Sequence, residues 1–316
     1  MRIAYLFFAY KNPRLIQKTI DHLSSPDSAF FIHIDKKADI SLFESIQGEN
    51  VFFTDRRELV YWGEFSQVRA ILILIRQALA DMRNYDYFVL LCGSTYPIRS
   101  GGYIRRFLET HRGTEFMTLT KMPNPGYPFS RINTLRFPSN RPVVRLVCRV
   151  LAKCGMAQRD FRKHLGNLEP YGGILWWALS KEACQYISDY EKQNKNVVKF
   201  FENLFAPEET FFQTILGNSQ FRSRMRRNLF YEDWSVPGPH PAMISQKHVA
   251  FFRSQDEVCC VQDLHGPGEL LFARKLSDES MGIVRQLDEM VKRKEAELED
   301  PANFASKVGE QLIEQN

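Results

Sequence analysis

Blocks of apolar residues alternate with polar stretches along the first 120 positions, and their spacing predicts strands and helices in turn. Near-continuous apolar runs at Ile3–Ala9, Ser28–Ile34 and residues 87–91 are typical of strands that are covered on both faces. Between these runs, residues 12–23 and 64–82 carry apolar residues at helical spacing. Strands separated by helices predict an α/β fold with a mainly parallel central sheet flanked by helices.

The shorter elements of this half continue the same pattern. Short strands are predicted at Val51–Phe53 and residues 115–120, and a helix is predicted at residues 102–111. In parallel sheets, ligands bind beyond the carboxyl ends of the strands. We therefore expect Asp35, which follows the second strand, and the turn-rich loop at residues 92–100 to lie at the mouth of a ligand site.

The second half of the chain is less regular. Residues 122–140 are rich in Pro, Asn and Ser, which predicts a long loop of the kind that often covers a substrate. From Arg141 to Lys163, apolar residues alternate with basic ones, which predicts a basic amphipathic helix. Such a helix can lie on an anionic membrane surface. An ordinary core-packed helix with a solvated face would have the same pattern.

Strands and helices return towards the C-terminus. Apolar runs at residues 172–179 and 228–234 predict two more strands, and Ser180 is expected to cap the helix that follows the first of them. A charged helix is predicted at residues 281–298, and the residues after it are expected to form a loosely held tail.

Composition narrows the class of protein without naming a function. Hydrophobic residues make up 44% of the chain and charged residues 25%, as in ordinary soluble globular proteins. The net charge of +5 is mild and does not indicate a nucleic-acid partner. The six cysteines form no CxxC pair, so neither a zinc site nor a disulfide framework is expected. The chain also has no Walker loop, Rossmann glycine fingerprint, GxSxG elbow or HExxH pair.

Two short segments carry the candidate chemistry. Glu208 and Glu209 follow Pro207 at the start of a predicted short helix, and the pattern leaves open whether they react or only stabilise the helix terminus. Arg274 and Lys275 follow an apolar stretch, where they could neutralise a diphosphate or form a solvated pair. No Asp-x-Asp follows an apolar strand, the arrangement that would hold a divalent ion between phosphates.

Taken together, six segments resemble the family of core-2/I-branching β-1,6-N-acetylglucosaminyltransferases and peptide O-xylosyltransferases. They follow the order of that family and cover roughly residues 1–278. Each segment is weakly specific alone, and the six in order make the resemblance specific. The segments are residues 31–37 (FIHIDKK), 60–63 (VYWG), 87–100 (YFVLLCGSTYPIRS), 172–180 (GGILWWALS), 206–212 (APEETFF) and 271–275 (LFARK).

The resemblance implies a GT-A-type nucleotide-sugar-binding fold and an inverting glycosyltransferase that needs neither a metal nor another cofactor. Glu209 matches the catalytic base of the family, and Lys275 matches a lysine that binds the donor diphosphate. Asp35 and Tyr61 fall where family members contact the uridine. We expect Tyr231 to pack on the acceptor sugar.

We expect Trp234 and Glu208 on the same acceptor side. The implied organisation is one glycosyltransferase domain at residues 1–278, followed by a C-terminal helix and tail at residues 279–316. Within the domain, residues 1–120 form the nucleotide-binding half and residues 121–278 the acceptor-binding and catalytic half.

Two departures from the family pattern concern the donor site. The family often has a basic residue after a His-Pro pair, whereas residues 240–242 read His-Pro-Ala, so the second diphosphate cation is open. Candidates to replace it are Arg253, Lys247 and Arg274. Thr95 stands where many relatives have Asp, which weakens any transfer of donor specificity.

These features predict transfer of a sugar, GlcNAc or xylose first, from a UDP-sugar to a hydroxyl of a glycan or lipid-linked acceptor in surface polysaccharide synthesis. UDP-glucose and UDP-galactose are also open as donors, and the alternative is a non-catalytic nucleotide-sugar or glycan-binding relative. Eukaryotic family members carry an N-terminal Golgi anchor, whereas this chain starts at its first strand. We therefore expect a bacterial-type cytoplasmic enzyme that contacts the inner face of the cell membrane through the basic helix.

Overall fold

The computed structural model describes residues 1–136, 142–154, 157–259 and 268–299. Its strands are β1 (Ile3–Ala9), β2 (Ser28–Ile34), β3 (Val51–Phe53), β4 (Tyr87–Cys92), β5 (Thr95–Pro97), β6 (Glu115–Met117), β7 (Thr120–Lys121), β8 (Tyr171–Gly172), β9 (Trp177–Ser180), β10 (Met225–Arg226), β11 (Phe230–Glu232) and β12 (Phe272–Arg274). Its α-helices are α1 (Pro13–Leu23), α2 (Ser66–Ala80), α3 (Gly101–Thr110), α4 (Ser130–Asn133), α5 (Pro142–Lys153), α6 (Arg162–Leu165), α7 (Lys181–Gln193), α8 (Lys195–Phe201), α9 (Phe211–Gly217), α10 (Gln246–Ser254) and α11 (Met281–Glu299).

A seven-stranded sheet with the order β10-β6-β9-β4-β1-β2-β3 forms the centre of the molecule. β1 pairs in parallel with both β2 and β4, so that Ile3 lies opposite Ser28 on one side and Tyr87 on the other. β9 runs antiparallel to β4 and β6. Helices cover both faces, which is why the inner strands are apolar along nearly their whole length. The predicted α/β fold with a mainly parallel central sheet is confirmed.

Several predicted elements are divided differently in the structure. The strand predicted at residues 172–179 is two strands, β8 and β9, in different sheets. The basic helix predicted from Arg141 to Lys163 is α5 and α6, and the loop predicted at residues 122–140 contains α4. β11, β12 and β5 form a small second sheet, in which β12 and β5 are antiparallel. The sequence pattern does not predict β5 and β12, because strands of three residues are too short to show a period of two.

The C-terminal helix packs on the rest of the chain. Val284 and Leu287 on α11 lie in a second apolar cluster with residues of α10, β5 and β12. The Asp288 carboxylate accepts a hydrogen bond from the Tyr96 hydroxyl (2.7 Å) and lies 3.0 Å from His22 Nδ1. The predicted tail after α11 lies outside the described residues, and the division at residue 278 stays a prediction.

Candidate active site

The turn that carries Glu208 and Glu209 is held firmly. Ala206 adopts a left-handed conformation (φ 49°), and its N–H donates to Gly63 O (3.0 Å). A 3-10 turn at Pro207–Glu209 follows, and α9 comes next with all seven of its residues buried. The predicted short helix with a buried face and two carboxylates at its start is therefore confirmed in outline.

Glu209 is partly exposed and forms an ion pair. Its Oε2 accepts from Arg131 Nη1 at 2.5 Å, and a third of its side chain is open to solvent. Burial raises the pKa of Glu209, while the positive charge of Arg131 lowers it and the charge of Glu232 raises it. This carboxylate is exposed enough to meet a substrate, and its environment moves its pKa towards that of a useful base.

Glu208 occupies a different environment from its neighbour. Only 5% of it is exposed, and its Oε1 accepts from Gln67 Nε2 (2.7 Å). Burial and the charge of Glu209 raise the pKa of Glu208 to about 8. The side chain packs beneath the surface and ties the turn of Glu208 and Glu209 to α2, and a contact of Glu208 with the acceptor stays a prediction.

The two residues expected to contact uridine lie together. Asp35 Oδ1 accepts from the backbone N–H groups of Lys37 (2.9 Å) and Val60 (3.2 Å). The ammonium group of Lys37 lies 3.5 Å from Asp35 Oδ2 and 4.2 Å from the centre of the Tyr61 ring. Trp62, next in the chain, packs edge-on against Phe205 (5.3 Å), so this cluster adjoins the turn of Glu209.

Lys275 is fixed through its backbone. Its N–H donates to Ala242 O (3.4 Å), and its carbonyl accepts from Ile244 N (2.8 Å). Burial lowers the pKa of the Lys275 ammonium, and the positive charges of Arg274 and Lys11 lower it further. The side chain therefore lies in a region of positive charge, as a site for an anion requires.

Arg274 is already paired. Its Nη1 donates to the Glu232 carboxylate, and its guanidinium lies 4.5 Å from the centre of the Trp176 ring. Trp234 donates its indole N–H to the same carboxylate (3.0 Å). Arg274 and Trp234, predicted for the donor and the acceptor respectively, therefore meet at Glu232, which the sequence did not single out.

The remaining predicted residues, Tyr231, Lys247 and Arg253, lie on α10 or pack against it. Tyr231 packs against Phe252, with ring centres 4.9 Å apart. Lys247 pairs with Asp233 (3.1 Å), and Arg253 is exposed near the end of α10. Among the described contacts, none joins Arg253 or Lys247 to Lys275, so their donor-site role stays a prediction.

Lys11 and His240 lie near Lys275 and Arg274, and neither residue was predicted for the site. Burial lowers the pKa of His240, and so do the charges of Lys275, Arg274 and Lys11. The carbonyl of Lys11 lies so close to Gly93 that a Cβ there would come within 2.6 Å of it. Lys11 lies two residues beyond β1, so the rule that selected Asp35 could have found it.

Arg131 and Tyr127 were also missed. The Arg131 guanidinium lies 4.8 Å from the centre of the Tyr127 ring, and the charge of Glu209 contributes to a raised pKa of Tyr127 whose main cause is burial. Both residues belong to the predicted covering loop. Its composition indicated a loop near the substrate but gave no sign of which side chain would reach Glu209.

Three further observations concern metals, cavities and membrane spans. Within the described ranges, no three His, Cys, Asp or Glu side chains come together as a metal site would require. A cavity of about 940 Å³ lies between α3 and the β6–β10 edge, and none of the residues above lines it. In the part of the chain that is described, no helix has the length and apolar character needed to cross a membrane.

Comparison with known proteins identifies relatives. A family model described as "Branch: Core-2/I-Branching enzyme" matches residues 3–255. The human Beta-1,3-galactosyl-O-glycosyl-glycoprotein beta-1,6-N-acetylglucosaminyltransferase is 24% identical over 93% of this chain and 71% of its own length. Xylosyltransferase sqv-6 of Caenorhabditis briggsae is 24% identical over 71% of the chain, and Xylosyltransferase 1 of Rattus norvegicus is 25% identical over 74%. The chain spans 27% and 28% of those two xylosyltransferases.

Proposed function

The chain belongs to the Core-2/I-branching enzyme family and is a glycosyltransferase, and from that premise we propose an inverting, metal-independent enzyme of GT-A type that uses a UDP-sugar. One observation carries the proposal. Glu209, a partly exposed carboxylate, lies close enough to Glu232 for the charge of Glu232 to raise its pKa, and Glu232 pairs with Arg274, the neighbour of Lys275 in the chain. A base for the acceptor and positive charge for a leaving diphosphate are the two requirements of such a transfer.

The mechanism we propose is a single in-line displacement. Glu209 takes the proton of an acceptor hydroxyl, and the freed oxygen attacks the anomeric carbon from the face opposite UDP. The new carbon–oxygen bond forms as the bond to the phosphate oxygen breaks, and the electron pair leaves with UDP. A general base typically contributes on the order of 10²–10⁴-fold to the rate.

For the donor, Asp35 and Tyr61 would contact uridine, and Lys275 would bind the diphosphate. We add Lys11 as the second source of positive charge, since it lies near Lys275 and, among the contacts of the described residues, it has no carboxylate partner such as Arg274 has in Glu232. His240 lies in the same region and would donate a hydrogen bond to the diphosphate. Fixed cations stabilise the charge that develops on a leaving group.

For the acceptor, we propose a hydroxyl of a glycan, free or lipid-linked, bound beside Tyr231 and Trp234. Trp234 supports this because it is 54% exposed and donates to Glu232 on the Glu209 side of the site. The names of the relatives favour transfer of GlcNAc or xylose. We further propose that the reaction takes place in the cytoplasm, at the inner face of the cell membrane, in surface polysaccharide synthesis.

Thermal-shift and calorimetric titration with UDP and UDP-sugars, in EDTA and in Mn²⁺, test the donor and the metal together. A ligand that binds only the folded state stabilises it in proportion to ln(1 + [L]/Kd), so the donor is identified without the acceptor. We expect UDP-sugar binding that EDTA leaves unchanged. Binding that requires Mn²⁺ would contradict the metal-free mechanism, and turnover with retained anomeric configuration would contradict inversion.

A further inference from the structure

Helix α5 presents an apolar face to solvent. Four residues at spacings of three and four, which share one side of a helix, are between 49% and 71% exposed. They are Val143, Leu146, Val147 and Val150. Apolar side chains at these positions would face the core on an ordinary surface helix. Their exposure shows that this face is not packed on the core.

The sequence around this face is strongly basic. From Arg141 to Lys163 there are seven Lys and Arg residues against one acidic residue, Asp160. Arg159 serves the fold, because it donates to Phe200 O (2.8 Å) and stacks on the Phe200 ring (4.0 Å). The other six, Arg141, Arg145, Arg149, Lys153, Arg162 and Lys163, leave the segment with a clear excess of positive charge.

Backbone hydrogen bonds hold the residues that flank α5 near the region around Glu209. Leu135, which precedes α5, donates its N–H to the carbonyl of Ala157, which follows α5 (2.7 Å). The residues that flank the helix therefore lie side by side. Arg136 N–H donates to Asn203 O (2.8 Å), close in sequence to the turn of Glu209. Arg131, the partner of Glu209, lies four residues before Leu135.

We propose that α5 docks on an anionic lipid bilayer and brings the acceptor side of the site to a lipid-linked acceptor; this rests on the proposed transferase function. The apolar face enters the interface between headgroups and acyl chains, and the basic residues attract the anionic headgroups. Charge selects this partner over a second copy of the chain, because two such basic segments would repel each other.

Vesicle flotation of the full chain tests the docking. We expect binding to vesicles of phosphatidylglycerol and phosphatidylethanolamine, and at least tenfold weaker binding to pure phosphatidylcholine, since each basic residue near an anionic surface contributes about fivefold. The double variant Leu146→Gln/Val147→Gln should lose at least about tenfold in affinity for the anionic vesicles. Both side chains are exposed, so the fold should tolerate the change.

Leu42→Gln is the matched control, because Leu42 is similarly exposed (62%) but lies in the short turn Ile40–Phe43. It should bind vesicles as the unaltered chain does. Equal binding to both kinds of vesicle, or unchanged binding by the double variant, would overturn the proposal. So would a dimer of the unaltered chain, seen by sedimentation, that the double variant abolishes.

UDP titration of the same proteins separates this inference from the function on which it rests. The double variant should bind UDP as the unaltered chain does and should lose transfer only to an acceptor embedded in vesicles. If UDP binds to neither protein, the proposed function fails. If UDP binding is normal and the double variant still uses the embedded acceptor fully, only the docking inference fails.

Discussion

The proposed donor side and the proposed acceptor side of the site are built differently. On the donor side, Asp35 and Lys11 follow buried parallel strands, and Lys275 is held by two backbone hydrogen bonds. On the proposed acceptor side, Arg131 reaches Glu209 from the short helix α4, and α5, which follows in the chain, has an exposed apolar face. A scaffold of strands positions donor contacts rigidly, whereas loops can vary without disturbing the core. This difference is one reason why the residues proposed for the donor are easier to select from the sequence than Arg131.

The largest expected effect concerns stability and comes from the buried carboxyl group of Glu208. Burial raises the pKa of Glu208 from an ordinary 4.5 to about 8. Between pH 4.5 and pH 8, the folded state therefore keeps a proton that the unfolded state has lost. The contribution of Glu208 to the free energy of unfolding should therefore be fully present below about pH 4.5. It should be lost progressively as pH rises from about 4.5 through about 8. The total is on the order of a few kcal/mol. Urea unfolding of Glu208→Gln should show a flatter pH dependence than the unaltered chain, and an equal slope would show that Glu208 is not the cause.

Lys275→Ala should damage the donor side alone. A charge-assisted hydrogen bond contributes about 1.5–3 kcal/mol, so UDP affinity should fall by about 10- to 150-fold. Calorimetry with UDP and with uridine would locate the loss, because uridine lacks the diphosphate and should bind both proteins equally. A Kd for UDP that does not change would remove Lys275 from the site.

Arg131→Gln should act on the acceptor side alone. Without the guanidinium, the pKa of Glu209 should rise, because Arg131 now opposes the effect of burial. A base must be ionised, so the acid limb of the kcat/KM profile should move to higher pH, with about a tenfold loss below neutral pH. UDP affinity should not change. A profile that keeps its position would contradict the assigned pairing of base and arginine.

Lys11→Gln should have the smallest effect, a loss of UDP affinity of about tenfold or less, because Lys11 is more exposed than Lys275 and water screens its charge. Lys18→Gln is the matched control, since Lys18 is also exposed but lies within α1. Equal UDP affinities for the two variants would remove Lys11 from the diphosphate site.

The predictable parts of this molecule are those governed by a period or by a strand end. The pattern picks out Asp35 because it follows a buried strand, and Glu208 and Glu209 because they follow Pro207 before an apolar helical pattern. The choice of Glu209 as the base came from the resemblance to the family, and the roles of Asp35 and Glu209 stay predictions. The pairing of Arg131 with Glu209 was not predictable from the pattern, because the two residues are 78 positions apart and Arg131 lies on a four-residue helix in a segment whose composition predicts a loop. The burial of Glu208 was missed for a related reason, since its partner Gln67 lies on another helix.

The proposed mechanism depends most on Glu209 as the base. The direct measurement is the single-turnover rate of Glu209→Gln together with its Kd for UDP. We predict a loss of about 10²–10⁴-fold in rate, with UDP affinity within about twofold of the unaltered chain. A variant that keeps its rate would contradict the mechanism, whatever its affinity for UDP.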